Sequence, residues 1–268
     1  MARIQAEQVQ NKSLNEVESA YADHFFEVYC RRVDFIKSLP DERNFEKVLL
    51  CCCYADSLGR YYAKVNKLST ENQQRFVDFL LLAGGKYPEL QNVWLKGLEL
   101  ELDKTGERKL AGYLSANWGL DPINFGTEGY NPDVTFSELR NRAQAELSPA
   151  ELSKLLDEAA EFKYTKILWK QYRNLSVHEG RSGHPWDLRK DRMPFTSIIN
   201  RLDLEEDREL HYVRFGVPWK FLHGCITESL KLFESDTLSS IEKLHELYVC
   251  LKETDDKDEY LFITPKKD

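Results

Sequence analysis

Methionine is nearly missing from this sequence, with 2 in 268 residues, whereas phenylalanine (14) and tyrosine (13) are plentiful. A core drawn from that supply is leucine and aromatic packing with well-defined rotamers. No run of about 18 apolar residues occurs, and residues 1–13 are polar with no apolar segment ahead of a small-residue cleavage site. These absences predict a cytoplasmic protein with no membrane partner. The six cysteines, at 30, 51, 52, 53, 225 and 250, include no CxxC pair. Three consecutive helical residues point about 100° apart and cannot jointly hold one metal, so Cys51 to Cys53 read as small, reduced, buried apolar side chains. No metal or other cofactor is expected. Gly84-Gly85 lacks the Lys-Ser or Lys-Thr of a phosphate-binding loop, which argues against nucleotide hydrolysis of that type. A solenoid is disfavoured because no repeat of about 20 to 50 residues is seen. The formal net charge of -8 argues against a protein that coats nucleic acid non-specifically. Any such contact must come from a local basic patch.

What is present is enough apolar material, 42% of residues, for one large domain or two small ones. Ser13-Leu14-Asn15-Glu16 has capping-box spacing, and Leu14, Val17, Tyr21, Phe25, Val28, Arg32 and Phe35 recur helically, predicting a helix over 14–38. Asp41 is expected to cap a second helix, apolar on most sides, that carries Asp56 and Gly59 in its interior. A carboxylate there requires a partner. Ser69 or Thr70 opens a third helix, closed by Gly84-Gly85. Residues 86–147 read as an insertion, with a short helix or strand at 93–100 and an irregular, loop-rich stretch at 103–136 punctuated by Gly112, Gly119, Gly126, Gly129, Pro122 and Pro132. Ser148-Pro149-Ala150-Glu151 is the clearest helix start, and the apolar pattern from Leu152 to Tyr172 predicts one helix reaching Arg173. Residues 194–199 and 210–215 read as two strands of a small hairpin, Pro218 starts a further helix to about 234, and a last helix spans about 237–252. The expectation is an all-α bundle with a loop-rich insertion, a small inserted β-hairpin and a flexible tail over 253–268.

The segment Arg173-Asn174-Leu175-Ser176-Val177-His178-Glu179-Gly180 concentrates the chemistry-bearing residues at a helix end. On an α-helix Asn174 and His178 share a face, while Arg173 and His178 stand about 140° apart and converge only if the chain bends or unwinds near Ser176. This segment resembles the motif of an arginine, a polar residue, three spacers and a histidine found in the HEPN (higher eukaryotes and prokaryotes nucleotide-binding) domain family. Ala55-Asp56-Ser57-Leu58-Gly59 is similar to the acidic position in the second helix of many such domains. The resemblance covers about 14–85 and 148–235 and leaves 86–147 unexplained.

The resemblance implies metal-independent RNA cleavage at a site shared across a homodimer, giving 2′,3′-cyclic phosphate ends, in a toxin or phage-defence effector with a possible antitoxin or other protein partner. Arg173, Asn174 and His178 would be the catalytic residues, with Asp56 supporting them. Histidine suits proton transfer near neutral pH, and the arginine fork suits a phosphorane. Lys163, Lys166, Lys170 and Arg173 follow 3, 4, 3 spacing, predicting a basic helical stripe that continues into Arg181 and could guide an RNA backbone. The rival reading is a non-catalytic module that binds nucleotide, RNA or protein. His178, His184 and Asp187 match no compact metal-ligand spacing.

Overall fold

The computed structural model describes residues 14–69, 71–120, 131–174, 195–203 and 208–255. The described chain is mostly helical, so the all-α class holds, and the hairpin is present. Helix α1 is Leu14–Ser38. Its buried face is Ala22, Phe25, Phe26, Tyr29, Val33 and Ile36, and Phe35 is 54% exposed. The inward stripe is therefore rotated by one residue from the expected one, because the paired residues Phe25 and Phe26 both turn to the core.

Helix α2, Asn44–Val65, follows a 3-10 turn at Asp41–Arg43. Asp41 does not cap it. Its carboxylate accepts instead from the buried Lys47 Nζ at 3.3 Å, and that ammonium lies 4.2 Å from the centre of the Trp219 ring. Helix α2 is the hub of the fold: α1, helix α3 (Asn72–Leu81), helix α9 (Trp219–Leu238) and helix α10 (Ile241–Asp255) all pack on it. Gly59 explains how close α3 comes, since a Cβ there would stand 2.7 Å from the Arg75 carbonyl oxygen. Gly84 and Gly85 close a 3-10 turn, Leu82–Gly85, after α3, without the left-handed backbone of a glycine cap.

The stretch expected to be irregular is largely helical. Strand β1 (Asn92–Val93) pairs with β2 (Val134–Thr135), and between and after them come α4 (Leu95–Lys104), α5 (Arg108–Trp118) and α6 (Phe136–Glu146). Leu110, Ala111, Leu114 and Trp118 form the inward face of α5, and Gly119 is its left-handed C-cap at φ 61°. Glycine punctuation masked this pattern: Gly112 sits inside the helix where its missing side chain leaves open space. Residues 121–130 lie outside the described ones.

Helix α7, Pro149–Glu161, starts with the expected capping box between Ser148 and Glu151. It does not run on to Arg173. Phe162 O accepts from Trp94 N at 2.9 Å, Val93 bridges Lys163, and Lys163 is extended at φ -60° and ψ 139°. A strand contact thus replaces the next helical turn. The chain resumes as α8, Tyr164–Ile167, and passes directly into a π-helical turn, Leu168–Asn174.

Strands β3 (Phe195–Asp203) and β4 (Arg208–Gly216) form the hairpin, longer than expected, from Phe195 opposite Gly216 to Asp203 opposite Arg208. At its base Phe215 is buried between Trp94 and Tyr164, with ring centres 5.5 and 4.7 Å away. Pro218 is the N-cap of α9 rather than its first residue, and α9 extends through Leu238. Helix α10 includes residues 253–255, which were expected in the tail; 256–268 fall outside the described residues. No helix is long and apolar enough to cross a membrane among the described residues.

Two apolar cores result. The larger joins α1, α2, α3, α9, α10 and the π turn around Phe26, Leu58, Phe76, Phe79, Trp169 and Phe233. The smaller joins α4 to α7 around Leu98, Leu102, Leu114, Leu139 and Leu155.

Candidate functional site

Asp56 and Arg173 meet. Arg173 Nη2 donates to Asp56 Oδ2 at 2.8 Å across 117 residues of sequence, with only 14% and 17% of the two side chains exposed. Asp56 is presented by the middle of α2, and Arg173 by the π turn that packs against it. The carboxylate required a partner in that apolar helix, and the arginine supplies it. A second contact fixes the guanidinium plane. Its carbon lies 4.5 Å from the centre of the Trp169 ring, and Trp169 is itself buried against Phe76, ring centres 5.3 Å apart. Arginine over an indole gains both cation–π attraction and a flat support.

The surroundings are protein-rich on the α2 side. Cys51 and Cys52 are fully buried, and burial pushes both thiols above their ordinary pKa; at Cys52 the nearby Arg173 pulls down and Asp56 pushes up. These thiols stay protonated and behave as apolar filler, as the sequence suggests; the described cysteines are all free of disulfides. One helical position beyond Asp56, Ser57 Oγ and Tyr29 OH are 2.6 Å apart and tie α2 to α1. Below Arg173, Tyr172 is buried and its hydroxyl donates to Phe215 O, linking the π turn to the base of the hairpin. Trp169 and Tyr172 are thereby used in packing rather than standing as exposed stacking platforms.

The π winding matters to geometry. An i→i+5 turn sets residues five apart over one another, whereas an α-helix separates them by about 140°. Arg173 leaves the described chain from such a turn. Asn174 belongs to it by backbone, with its side chain outside the described residues. His178 and Arg181 lie outside them too, as do His184, Trp186 and Asp187. Two other histidines are engaged elsewhere: His223 Nε2 is 3.1 Å from Val33 O, with its pKa lowered by burial, and His245 Nδ1 is 2.7 Å from Glu18.

The expected lysine stripe does not form. Lys163 stands at the break before α8 with its Nζ 4.1 Å from the Phe136 ring centre, and burial lowers its pKa. Lys166 pairs with Glu161 at 2.6 Å, and Lys170 pairs with the same carboxylate. The 3, 4, 3 spacing requires one continuous α-helix, and the break at Lys163 and the π turn after Ile167 remove it. Two arginines missed in the sequence stand on α2 and α3 instead. Arg60 is one turn further along α2, and Arg75 on α3 responds electrostatically to Asp56, Arg60 and Arg173. The i to i+4 spacing of Asp56 and Arg60 was a readable signal, but Arg75 comes near only through the Gly59 contact.

A separate polar cluster joins the two cores. Asp133 Oδ1 accepts from Leu95 N at 2.8 Å at the start of α4, and Oδ2 accepts from Tyr164 OH at 2.6 Å. Burial raises its pKa to about 7, partly offset by those two donors. Among the described residues no three His, Cys, Asp or Glu side chains are grouped to hold a metal ion. Searches against protein-family models, curated proteins and solved structures found no match to this chain.

Proposed function

We propose that this protein is a HEPN-type endoribonuclease in which Arg173 binds the scissile phosphate and His178 moves the proton. The observation that carries the reading is the Asp56–Arg173 pair, 2.8 Å long and seated on Trp169. It holds the motif arginine in one orientation before any ligand arrives, and preorganised charge is what stabilises a phosphorane most effectively.

In this reading a neutral His178 takes the proton from a ribose 2′-hydroxyl. The 2′-oxygen then bonds to the adjacent phosphorus, and the bond from phosphorus to the 5′-oxygen breaks. A protonated histidine from a second copy gives its proton to the departing oxygen, leaving a 2′,3′-cyclic phosphate and a 5′-hydroxyl. Arg173 carries the extra negative charge of the phosphorane, Asn174 orients the imidazole or the phosphate, and Asp56 restrains Arg173. The two-fold arrangement follows from each chain supplying one such histidine.

The test is RNA cleavage in chelator by the intact protein, Arg173→Ala and His178→Ala. The intact protein is expected to yield cyclic-phosphate ends, and His178→Ala to lose about a hundredfold or more of the rate. Equal activity of all three proteins, or a requirement for divalent metal, rejects the mechanism. The competing reading, a non-catalytic nucleotide-, RNA- or protein-binding module, is favoured by the use of Arg173 as a half-buried structural partner of Asp56. It predicts RNA affinity without product.

A further inference from the structure

Phe136 opens α6 directly after its N-cap, Thr135, whose hydroxyl accepts from Glu138 N at 3.2 Å, and it packs on the rim of the smaller core. Two cations from different parts of the chain converge on its ring. Arg140, one helical turn further along α6, has its guanidinium carbon 5.5 Å from the ring centre, and Lys163 has its Nζ 4.1 Å from the same point. Lys163 reaches it because α7 has ended there: Val93 bridges Lys163, and the backbone is extended at φ -60° and ψ 139°. Both distances lie within the reach of cation–π attraction, so one half-buried ring holds two like charges.

Neither cation has a carboxylate partner among the described residues. The acids nearest to them in sequence are engaged with other cations: Glu138 pairs with Arg142 at 3.3 Å, and Glu161 pairs with Lys166 and Lys170. In a chain of net charge -8 most described cations have such a partner, so two left without one at a single ring are the exception. Burial lowers the Lys163 pKa first, and repulsion from Lys166 and Arg140 adds to it. The ring attracts both cations but carries no net charge, so their mutual repulsion is left unrelieved until an anion binds. A phosphate suits that place, since the arginine fork grips two of its oxygens and the lysine supplies a point charge.

We propose that Arg140 and Lys163, seated on Phe136, form a phosphate-binding site that takes a backbone phosphodiester of single-stranded RNA. The proposal rests on the RNA-directed reading above for the identity of the ligand, and not on His178 being catalytic. Of the lysines expected in the basic stripe, Lys163 is the one without a carboxylate, and its companion is an arginine on α6 rather than the next lysine. From Lys163 to Arg173 the chain rises no more than about 15 Å, a span that a single strand covers in a few nucleotides.

The experiment is fluorescence anisotropy of a labelled 2′-O-methyl oligoribonucleotide, which retains the phosphodiesters and cannot be cleaved by 2′-oxygen attack. Intact protein, Arg140→Gln, Lys163→Gln, the double variant, Lys163→Arg and Lys154→Gln are titrated over a range of salt, with circular dichroism on each. Arg140→Gln and Lys163→Gln are each expected to weaken binding about tenfold and to reduce the slope of log affinity against log salt by about 0.7, the loss of one phosphate contact on a single strand. Because the two cations share one phosphate, the double variant loses no more slope than either single variant, and its affinity loss falls short of the product of the two. Lys163→Arg keeps the slope, and so does Lys154→Gln, which removes a lysine already paired with Glu107. Unchanged slopes in folded Arg140→Gln and Lys163→Gln overturn the site, as does no binding by the intact protein. Slope losses that add in the double variant overturn the sharing of one phosphate. Orthophosphate that raises the melting temperature through Arg140 and Lys163, or an oligoglutamate peptide that binds through them, with oligonucleotide binding equal in all variants, overturns the RNA form. Binding that depends on both residues with no cleavage removes the nuclease and keeps the site. Cleavage whose KM and salt slope ignore both substitutions removes the site and keeps the nuclease.

Discussion

The two cores of this protein are built differently. The core around α2 is aromatic, with Phe25, Phe26, Tyr29, Phe76, Phe79, Trp169, Tyr172 and Phe233, and it admits charge: Lys47 is buried over Trp219, and Asp56 and Arg173 are half-buried together. The core of α4 to α7 is nearly all leucine and alanine; ion pairs such as Lys109–Glu151 and Lys154–Glu107 lie on its exterior, and Lys96 pairs with Glu99 in a buried position on α4. Aromatic rings let cations lie against an apolar surface, which leucine cannot do. The first core can therefore hold a reactive constellation, while the second serves as a packed support whose ionic exterior adds little stability. Asp133 is a buried acid on the seam between them.

Truncating the second core tests that division most strongly. Leu114 is fully buried there, and Leu114→Ala is expected to cost about 2–5 kcal/mol. Under the division, chemical denaturation shows the loss while the Trp169 fluorescence environment under Arg173 and any RNA affinity per folded molecule persist. A loss of affinity in protein that is still folded would erase the distinction between support and site.

The seam gives the next effect. Asp133 has a folded pKa of about 7, above its ordinary 3.8. The folded state holds the proton more tightly than the unfolded chain, so this contribution to stability is full below about pH 4 and is lost as pH rises through 7. Asp133→Asn removes the titration and leaves an oxygen to accept from Leu95 N. Relative to the variant, the intact protein is expected to lose stability on the order of a few kcal/mol between pH 4 and 8. Parallel stability curves for the two proteins over that range would show that the acid is not held neutral at the seam.

The smallest effect is expected at the α2–α3 contact. Gly59→Ala places a methyl group 2.7 Å from the Arg75 carbonyl oxygen and must move α3, at a cost of about 1–3 kcal/mol. Because Phe76 on α3 packs on Trp169, the ring under Arg173, any RNA affinity should fall by more than the stability loss predicts. Equal affinity in a folded Gly59→Ala protein would detach the α2–α3 contact from the site.

Much of the fold was legible locally. The capping box at Ser148, the periodicity of α1 and the apolar run of α2 all act within a few residues of chain, and each element formed where its pattern lies. Asp56 was legible as an acid in need of a partner. Arg75 was not, since nothing between residues 60 and 75 reports that a glycine on one helix lets another approach. Helix α5 was obscured by Gly112, whose local penalty was outweighed by burial of Leu110, Leu114 and Trp118.

By itself the sequence determined the helical class, the capping box at Ser148 and the presence of an arginine-to-histidine motif, because these depend on interactions over one or two turns. Only the tertiary structure decided where the motif-bearing helix breaks and how it is wound. Val93 and Trp94, some seventy residues earlier, take the backbone groups of Phe162 and Lys163 out of the helix. Asp56, on another helix, then holds Arg173 beside the π turn. A backbone hydrogen bond or a buried ion pair with a distant partner outweighs the modest preference of a short segment for one winding, and that is information no local spacing contains.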